Sequence, residues 1–358
     1  MEEKISGNQL TDESPQSLEE LKYCFNDKGE LRHIHTSKPY VFNYFTNELN
    51  RNHQRYQVLG GLITQHVYRL LQEDCKLKRV CIPVISETGQ ARSFFFMSEN
   101  ALVSTSSLTV LLQDHGVIRA GQWSLKTIVH GCLNHGTQIP YIQKVLSECG
   151  EIIVLNPNEN LSEISTDSAE AKSYSVSNDE PFDNESKLHD RVKNKSLCVS
   201  AHCSSTPEEH TVYVWDHFIS KCAAKNVAFI AHGYGGLVFV ELLIQRKQEV
   251  MDRVFAVAFI DSLHNAQHQG ADNEILAWIE KHCQNWVLSP EPVDRVVSTL
   301  KVDCRRVSAG TENHELAPWI CFQPVFKFFN RTLKAKEAML SRVPVVTRSS
   351  TRKSMSQH

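Results

Sequence analysis

Two short runs constrain this chain more than any other feature. Leu108–Leu112 and Ile152–Leu155 are apolar at almost every position and show no alternation of apolar with polar residues. A strand with one wet face alternates, so these runs fit strands covered on both faces, as in a parallel sheet flanked by helices. Downstream the same grammar continues. Val227–Ala231 leads through a glycine turn at 233–236 into a helix over 237–246, and Val254–Ile260 ends at Asp261. A helix containing Trp278 is expected near 272–283, then a last strand over Cys304–Ala309 and a final helix bearing Phe322, Val325, Phe326 and Phe329. Alternating strands and helices from residue 108 onward predict an α/β chain with a mostly parallel, doubly wound sheet and helices on both faces.

Upstream, Asp27 and Gly29 supply a turn between two short extended pieces. Tyr56, Leu59, Ile63, Val67, Leu70 and Leu71 recur at three- and four-residue spacing and predict a helix from about 47 to 74. Runs 79–85 and 93–97, joined through Glu87-Thr88-Gly89-Gln90, read as a hairpin, and 139–149 reads as a helix. Three segments break the pattern. Residues 1–20 are polar and expected to be disordered. Residues 158–207, rich in Ser, Asp, Glu and Asn, read as a disordered insertion inside a single 21–330 domain. The tail 331–358 carries seven Lys or Arg against one acidic residue. It reads as a solvated end, with nuclear import or nucleic-acid contact as the sharper alternative.

A net charge of −3 over 358 residues gives no overall field for nucleic acid or membrane binding, so direct nucleic-acid contact is not expected. No apolar run approaches the roughly 20 residues of a membrane helix, and no basic-then-apolar leader opens the chain. The 11 cysteines, without a CxxC pair, read as reduced thiols.

The segment His232-Gly233-Tyr234-Gly235-Gly236 joins a strand to a helix. In an α/β-hydrolase this place is the nucleophile elbow, G-x-S-x-G, whose tight turn demands small flanking residues. Ala231 and Gly235 supply them, but the central position is Gly233. Glycine enters the strained backbone of an elbow freely, yet it offers no hydroxyl or thiol for acyl transfer. Asp261 at a strand end and His314 in the loop after the last strand complete the order nucleophile position, acid, histidine. The oxyanion loop, expected over Gln113, Asp114, His115 and Gly116 with Tyr234 after the elbow, carries Asp114. A negative charge there opposes oxyanion stabilisation unless its side chain turns away.

The segments Cys24–Gly29, Val117–Trp123, Ile153–Asn160, Tyr213–His217, His232–Gly236 and Val307–Thr311 resemble the Arb-two (argonaute-binding) domain family of cotranscriptional regulators, its vertebrate B-type branch above all. The resemblance covers about residues 20–330, with 161–207 diverging. It implies an α/β-hydrolase-like fold, nuclear and cytoplasmic location, and protein partners linked to argonaute, heterochromatin, RNA silencing and splicing. It also implies relatives with Ser at position 233 and His-Gly-Ser-Gly over 113–116, a pattern from which this chain departs. The reading that results is a non-catalytic adaptor without cofactor, whose Gly233, Asp261 and His314 are vestigial triad positions. The rivals are a hydrolase using Asp114, Ser262 or a metal-held water, and a decaying paralogue without function. Metal binding is also weighed: His264 and His268 lack the Glu of an H-E-x-x-H motif, and Cys198, His202 and Cys203 fit no standard zinc spacing.

Overall fold

A computed structural model describes residues 15–84, 92–159, 161–163, 198–200, 203–297 and 303–341. Its centre is an eight-stranded sheet. Strands β3 (Lys78–Ile82) and β4 (Ser93–Met97) form the expected hairpin, whose connecting loop lies outside the described residues. Six strands complete it: β5 (Leu108–Leu112), β6 (Glu151–Val154), β9 (Val227–His232), β10 (Val254–Ile260), β11 (Cys283–Val287) and β12 (Arg305–Ser308). The order across the sheet is β12-β11-β10-β9-β5-β6-β4-β3. Only β4 runs antiparallel to both its neighbours; from β6 to β12 every pairing is parallel. Separately, β1 (Tyr23–Phe25) pairs with β2 (Leu31–His33) across the predicted turn, and β7 (Leu161–Glu163) pairs with β8 (Cys198–Ser200).

Every residue of β5, β9 and β10 is buried, as unalternating strands require. Helices cover both faces and make two apolar layers. On one side lie α1 (Leu49–Glu73), α4 (Ile139–Ser147) and α10 (Phe322–Ser341), with α2 (Leu125–His130) beside them. On the other lie α5 (Pro207–His217), α6 (Gly235–Gln245), α7 (Lys247–Arg253) and α8 (Asn273–His282). The described residues also form the short helices α3 (Leu133–Gly136) and α9 (Ala317–Ile320) and a 3-10 turn over Ile219–Lys221.

Several expectations shift. Strand β11 escapes a hydrophobicity reading because it carries Gln284 and Asn285, both buried; Asn285 donates from Nδ2 to the Ser262 carbonyl at 2.9 Å. The N-terminal stretch is packed by residue 18, where Leu18 joins the core, so disorder through residue 20 does not hold. At the other end α10 runs to Ser341, past the expected tail boundary at 330, and its Arg331–Ser341 portion is helical. The edges of the 158–207 insertion are also packed. Ser204 is buried and its hydroxyl lies 2.9 Å from His210 Nδ1, while Thr206 caps α5. The remainder of that insertion, with His202, lies largely outside the described residues.

From β5 the chain moves outward to β6 on one side and later returns to β9 on the other. Such a reversal opens a crevice at the carboxyl ends of β5 and β9, where ligands bind in open α/β sheets. Gly235 lets α6 start close to β5: a Cβ there would stand 2.7 and 2.8 Å from the carbonyl oxygens of Leu112 and Gln113. Backbone cannot yield as a side chain can, so Gly235→Ala should cost about 1–3 kcal/mol, the usual penalty of overpacking. Thermal or denaturant unfolding of the variant checks this.

Candidate active site

The elbow forms at the end of β9. Gly233 has φ +54, in the left-handed region where a side chain is costly. Its amide donates to the Ile260 carbonyl at 3.0 Å, tying the turn to β10. The space above it is filled: a Cβ on Gly233 would lie 2.5 and 2.6 Å from Oδ1 and Oδ2 of Asp114. Asp114, two residues beyond β5, therefore does not turn away from the oxyanion site. Its carboxylate sits in the volume an elbow side chain would occupy.

Each oxygen of that carboxylate has its own partners. Oδ1 accepts from the Tyr234 amide at 2.6 Å and the His115 amide at 2.8 Å. One amide follows the elbow and the other comes from the β5 loop, the two places from which an oxyanion hole is built. Oδ2 accepts from His314 Nε2 at 2.9 Å, and His314 Nδ1 donates to Asp261 Oδ2 at 2.6 Å. Asp261 directly follows β10 at φ +46, a conformation Asp tolerates better than most residues. The expected positions 233, 261 and 314 thus converge, with Asp114 supplying the group that Gly233 lacks.

The charges are mutually compensating. Hydrogen bonds to Asp114 first and Asp261 second push the His314 pKa up to about 9, against the effect of burial, so the imidazole is a cation at neutral pH. Burial acts to raise the Asp114 pKa. The hydrogen bond from His314 and those from the two amides outweigh it and bring the value down to about 2. A negative charge that would repel an oxyanion is here the partner of an imidazolium.

A sequence model of the Arb2 domain family matches residues 14–293. The chain belongs to the Arb2 domain family. A Homo sapiens protein designated ARB2BP is 48% identical over 352 residues, covering 95% of each chain. The Gallus gallus cotranscriptional regulator ARB2A homolog is 45% identical over 358 residues, covering 95% of this chain and 86% of that protein. Among solved structures, the histone deacetylase Clr3 superposes with a TM-score of 0.46 at 17% identity, over 77% of this chain and 39% of that one.

Two residues of this Arb2 site are not evident from sequence reasoning. His232, fully buried before the elbow, stacks on His314 with centroids 4.3 Å apart and planes at 23°. Its Nε2 lies 3.2 Å from the His314 carbonyl oxygen. Burial first, then the His314 charge, lowers its pKa to about 4, so it remains neutral beside the cation. Asn158 donates from Nδ2 to the carbonyls of Asp114 at 2.7 Å and Ile118 at 3.0 Å, pinning the β5 loop. The first has no signature beyond a His next to the turn. The second stands in the Ile153–Asn160 family segment, which carries no chemical signature of its role.

The remaining candidates separate. Gln113 is buried with neither amide atom hydrogen-bonded, and His115 packs edge-to-face on Tyr234 at 5.4 Å. Gly116 is exposed at φ +117, and Arg119 Nη1 donates to its carbonyl at 3.1 Å. Ser262 is buried with its hydroxyl 2.8 Å from His264 Nδ1. His264 is half-buried against Phe259 rather than loop-exposed, and burial lowers its pKa to about 4. His268 is exposed in a turn and shares no helical face with it. Donor atoms of Asp114, His232 and His314 lie within 4.8 Å of one another, the spacing of a metal cluster. The near-parallel imidazoles, however, send their in-plane lone pairs side by side rather than to one point, and both His314 nitrogens are engaged by carboxylates.

Gly233→Ser should fail to create a serine hydrolase, because its side chain must displace the Asp114 carboxylate. We expect no fluorophosphonate labelling of the natural protein or of Gly233→Ser, and labelling of Asp114→Gly/Gly233→Ser. The single exchange should also destabilise by about 1–3 kcal/mol. A pH dependence follows from the same bridge. His314 is raised above its ordinary 6.5, so its contribution is full below about 6.5 and is lost as pH rises through about 9. Asp114 is lowered from 3.8, so its contribution is present above 3.8 and lost toward about 2. Both describe one interaction on partly exposed groups. The stability difference between the natural protein and His314→Gln should therefore be greatest near pH 5–6 and shrink steadily to pH 9 in melting curves.

Proposed function

We propose that this protein is a cotranscriptional regulator that works in the nucleus by binding protein partners rather than by acyl transfer. The observation that carries the reading is the Asp114 carboxylate seated over Gly233, on the oxyanion donors. An acyl carbonyl arriving there would meet a carboxylate held by an imidazolium, and the elbow position, Gly233, offers no hydroxyl or thiol to attack it. The described residues, by contrast, form an eight-stranded sheet with helices on both faces, and several relatives are named as cotranscriptional regulators.

The family resemblance points to argonaute as a partner, with silencing and splicing as the processes served. No helix among the described residues is long and apolar enough to cross a membrane, which fits such a role. Surfaces away from the elbow would carry the contact, so the elbow's chemistry need not matter to it. Affinity capture from nuclear extract tests this. Argonaute should be enriched on the natural protein and equally on Asp114→Asn. Absence of enrichment above a bare-resin control for both would sink the argonaute assignment. Enrichment lost in Asp114→Asn, with folding intact, would mean the elbow itself is the contact.

A further inference from the structure

The site lacks acyl-transfer chemistry, yet every group around Asp114 has a partner that a carboxylate nucleophile would need. We propose that Asp114 is the nucleophile of an epoxide-opening site, forming an alkyl ester on its own side chain that water then cleaves with His314 as base. This goes beyond the regulator reading, which stands or falls separately.

Carboxylates form esters with sp³ carbons and are established covalent catalysts. Oδ2 faces His314 Nε2 at 2.9 Å, while Oδ1 is held by the Tyr234 and His115 amides. Attack by Oδ2 on an epoxide carbon forms the new C–O bond and breaks the ring C–O bond. The ring oxygen departs on the far side of the attacked carbon, takes a proton from a solvent water there and remains as a hydroxyl on the product, while His314 gives its Nε2 proton back to the hydroxide so formed. An epoxide is favoured over a halide because its opening uses this proton; a halide leaves without it.

The ester removes the Asp114 negative charge, and with it the foremost cause of His314's raised pKa. His314 is then neutral, oriented by Asp261 through the 2.6 Å bond at Nδ1. It can take a proton from water attacking Asp114 Cγ. The oxyanion of that second step develops on Oδ1, where two amides already point, the arrangement that stabilises such charge best. Collapse expels the alcohol oxygen. Of the two protons of the water, one returns His314 to its cationic form and the other stays on the diol, while Asp114 is regenerated as a carboxylate. The sum is epoxide plus water giving a vicinal diol.

Access and binding are available at the surface. The Asp114 and His314 side chains are 26% and 35% exposed, so a small electrophile can reach both. The edge-to-face pair His115 and Tyr234, whose amides hold Oδ1, offers an aryl group a ring surface beside the carboxylate. Gly233 matters here as well, since any side chain on it would take the volume of the carboxylate.

Styrene oxide and the full-length chain provide the test. In H₂¹⁸O under single-turnover conditions, diol should form and one ¹⁸O should appear in the Asp114 carboxylate on peptide mass spectrometry. Asp114→Asn should abolish the diol, and His314→Gln should slow it by about 100-fold or more, the scale of general acid–base catalysis. Diol bearing the label itself, with none in Asp114, would mean direct attack by water and would overturn the proposal. So would no diol above the buffer rate. The labelling experiment uses the unaltered protein, so a poorly folding variant cannot obscure the outcome.

Discussion

Between the carboxyl ends of β5 and β9 there is room for one functional side chain, and in this chain it comes from β5. The limit is steric. Gly235 brings α6 against the Leu112 and Gln113 carbonyls, and Gly233 turns at φ +54 with its amide on Ile260. The volume left over the turn is the one the Asp114 carboxylate fills. A side chain at 233 and the carboxylate of 114 cannot share it. Glycine at the elbow and aspartate in the oxyanion loop are therefore one structural arrangement rather than two separate departures from a hydrolase pattern.

Electrostatics then decides what that arrangement is. A carboxylate on two amides alone would be a modest anion site. His314 changes it by joining Asp114, from the β5 loop, to Asp261, from the end of β10, through both ring nitrogens. Loops from three parts of the chain are held by one imidazolium. His232 lies stacked beneath it and is kept neutral by burial, so it adds no competing charge. Asn158 reaches across from the β6 side to pin the backbone of Asp114 and Ile118. The result suits binding through an intact fold. It also leaves a carboxylate, an imidazole and two amide donors in contact, with Asp114 first and Asp261 second among the groups that raise the His314 pKa.

Much of the fold is legible in the residues. The unalternating runs at 108–112, 227–231 and 254–260 give buried parallel strands because, apart from Thr109, they hold no polar residue that could face water. The 25-residue helix α1 and the elbow are equally visible. Strand β11 is not, since Gln284 and Asn285 look like surface residues until Asn285 is seen satisfying Ser262. Nor is the packing of Leu18, an isolated apolar residue in a polar stretch, or the extension of α10 into a basic segment that reads as a tail.

For the site, the elbow motif and the order Gly233, Asp261, His314 pointed to one hydrolase-like constellation, and glycine at 233 fixed that its central position carries no hydroxyl. The small residues at the turn are a local requirement of a tight strand-to-helix connection, whereas the strand order that brings the loops to one edge belongs to the folded sheet. The direction of Asp114 was a tertiary matter. Sequence marked it as an adverse charge in an oxyanion loop, which holds if the site is otherwise empty. Only the folded chain brings His314 to 2.9 Å of one oxygen and the Tyr234 amide to 2.6 Å of the other. A charge is costly or favourable according to its neighbours in space, and the imidazole of His314 lies 200 residues further along the chain.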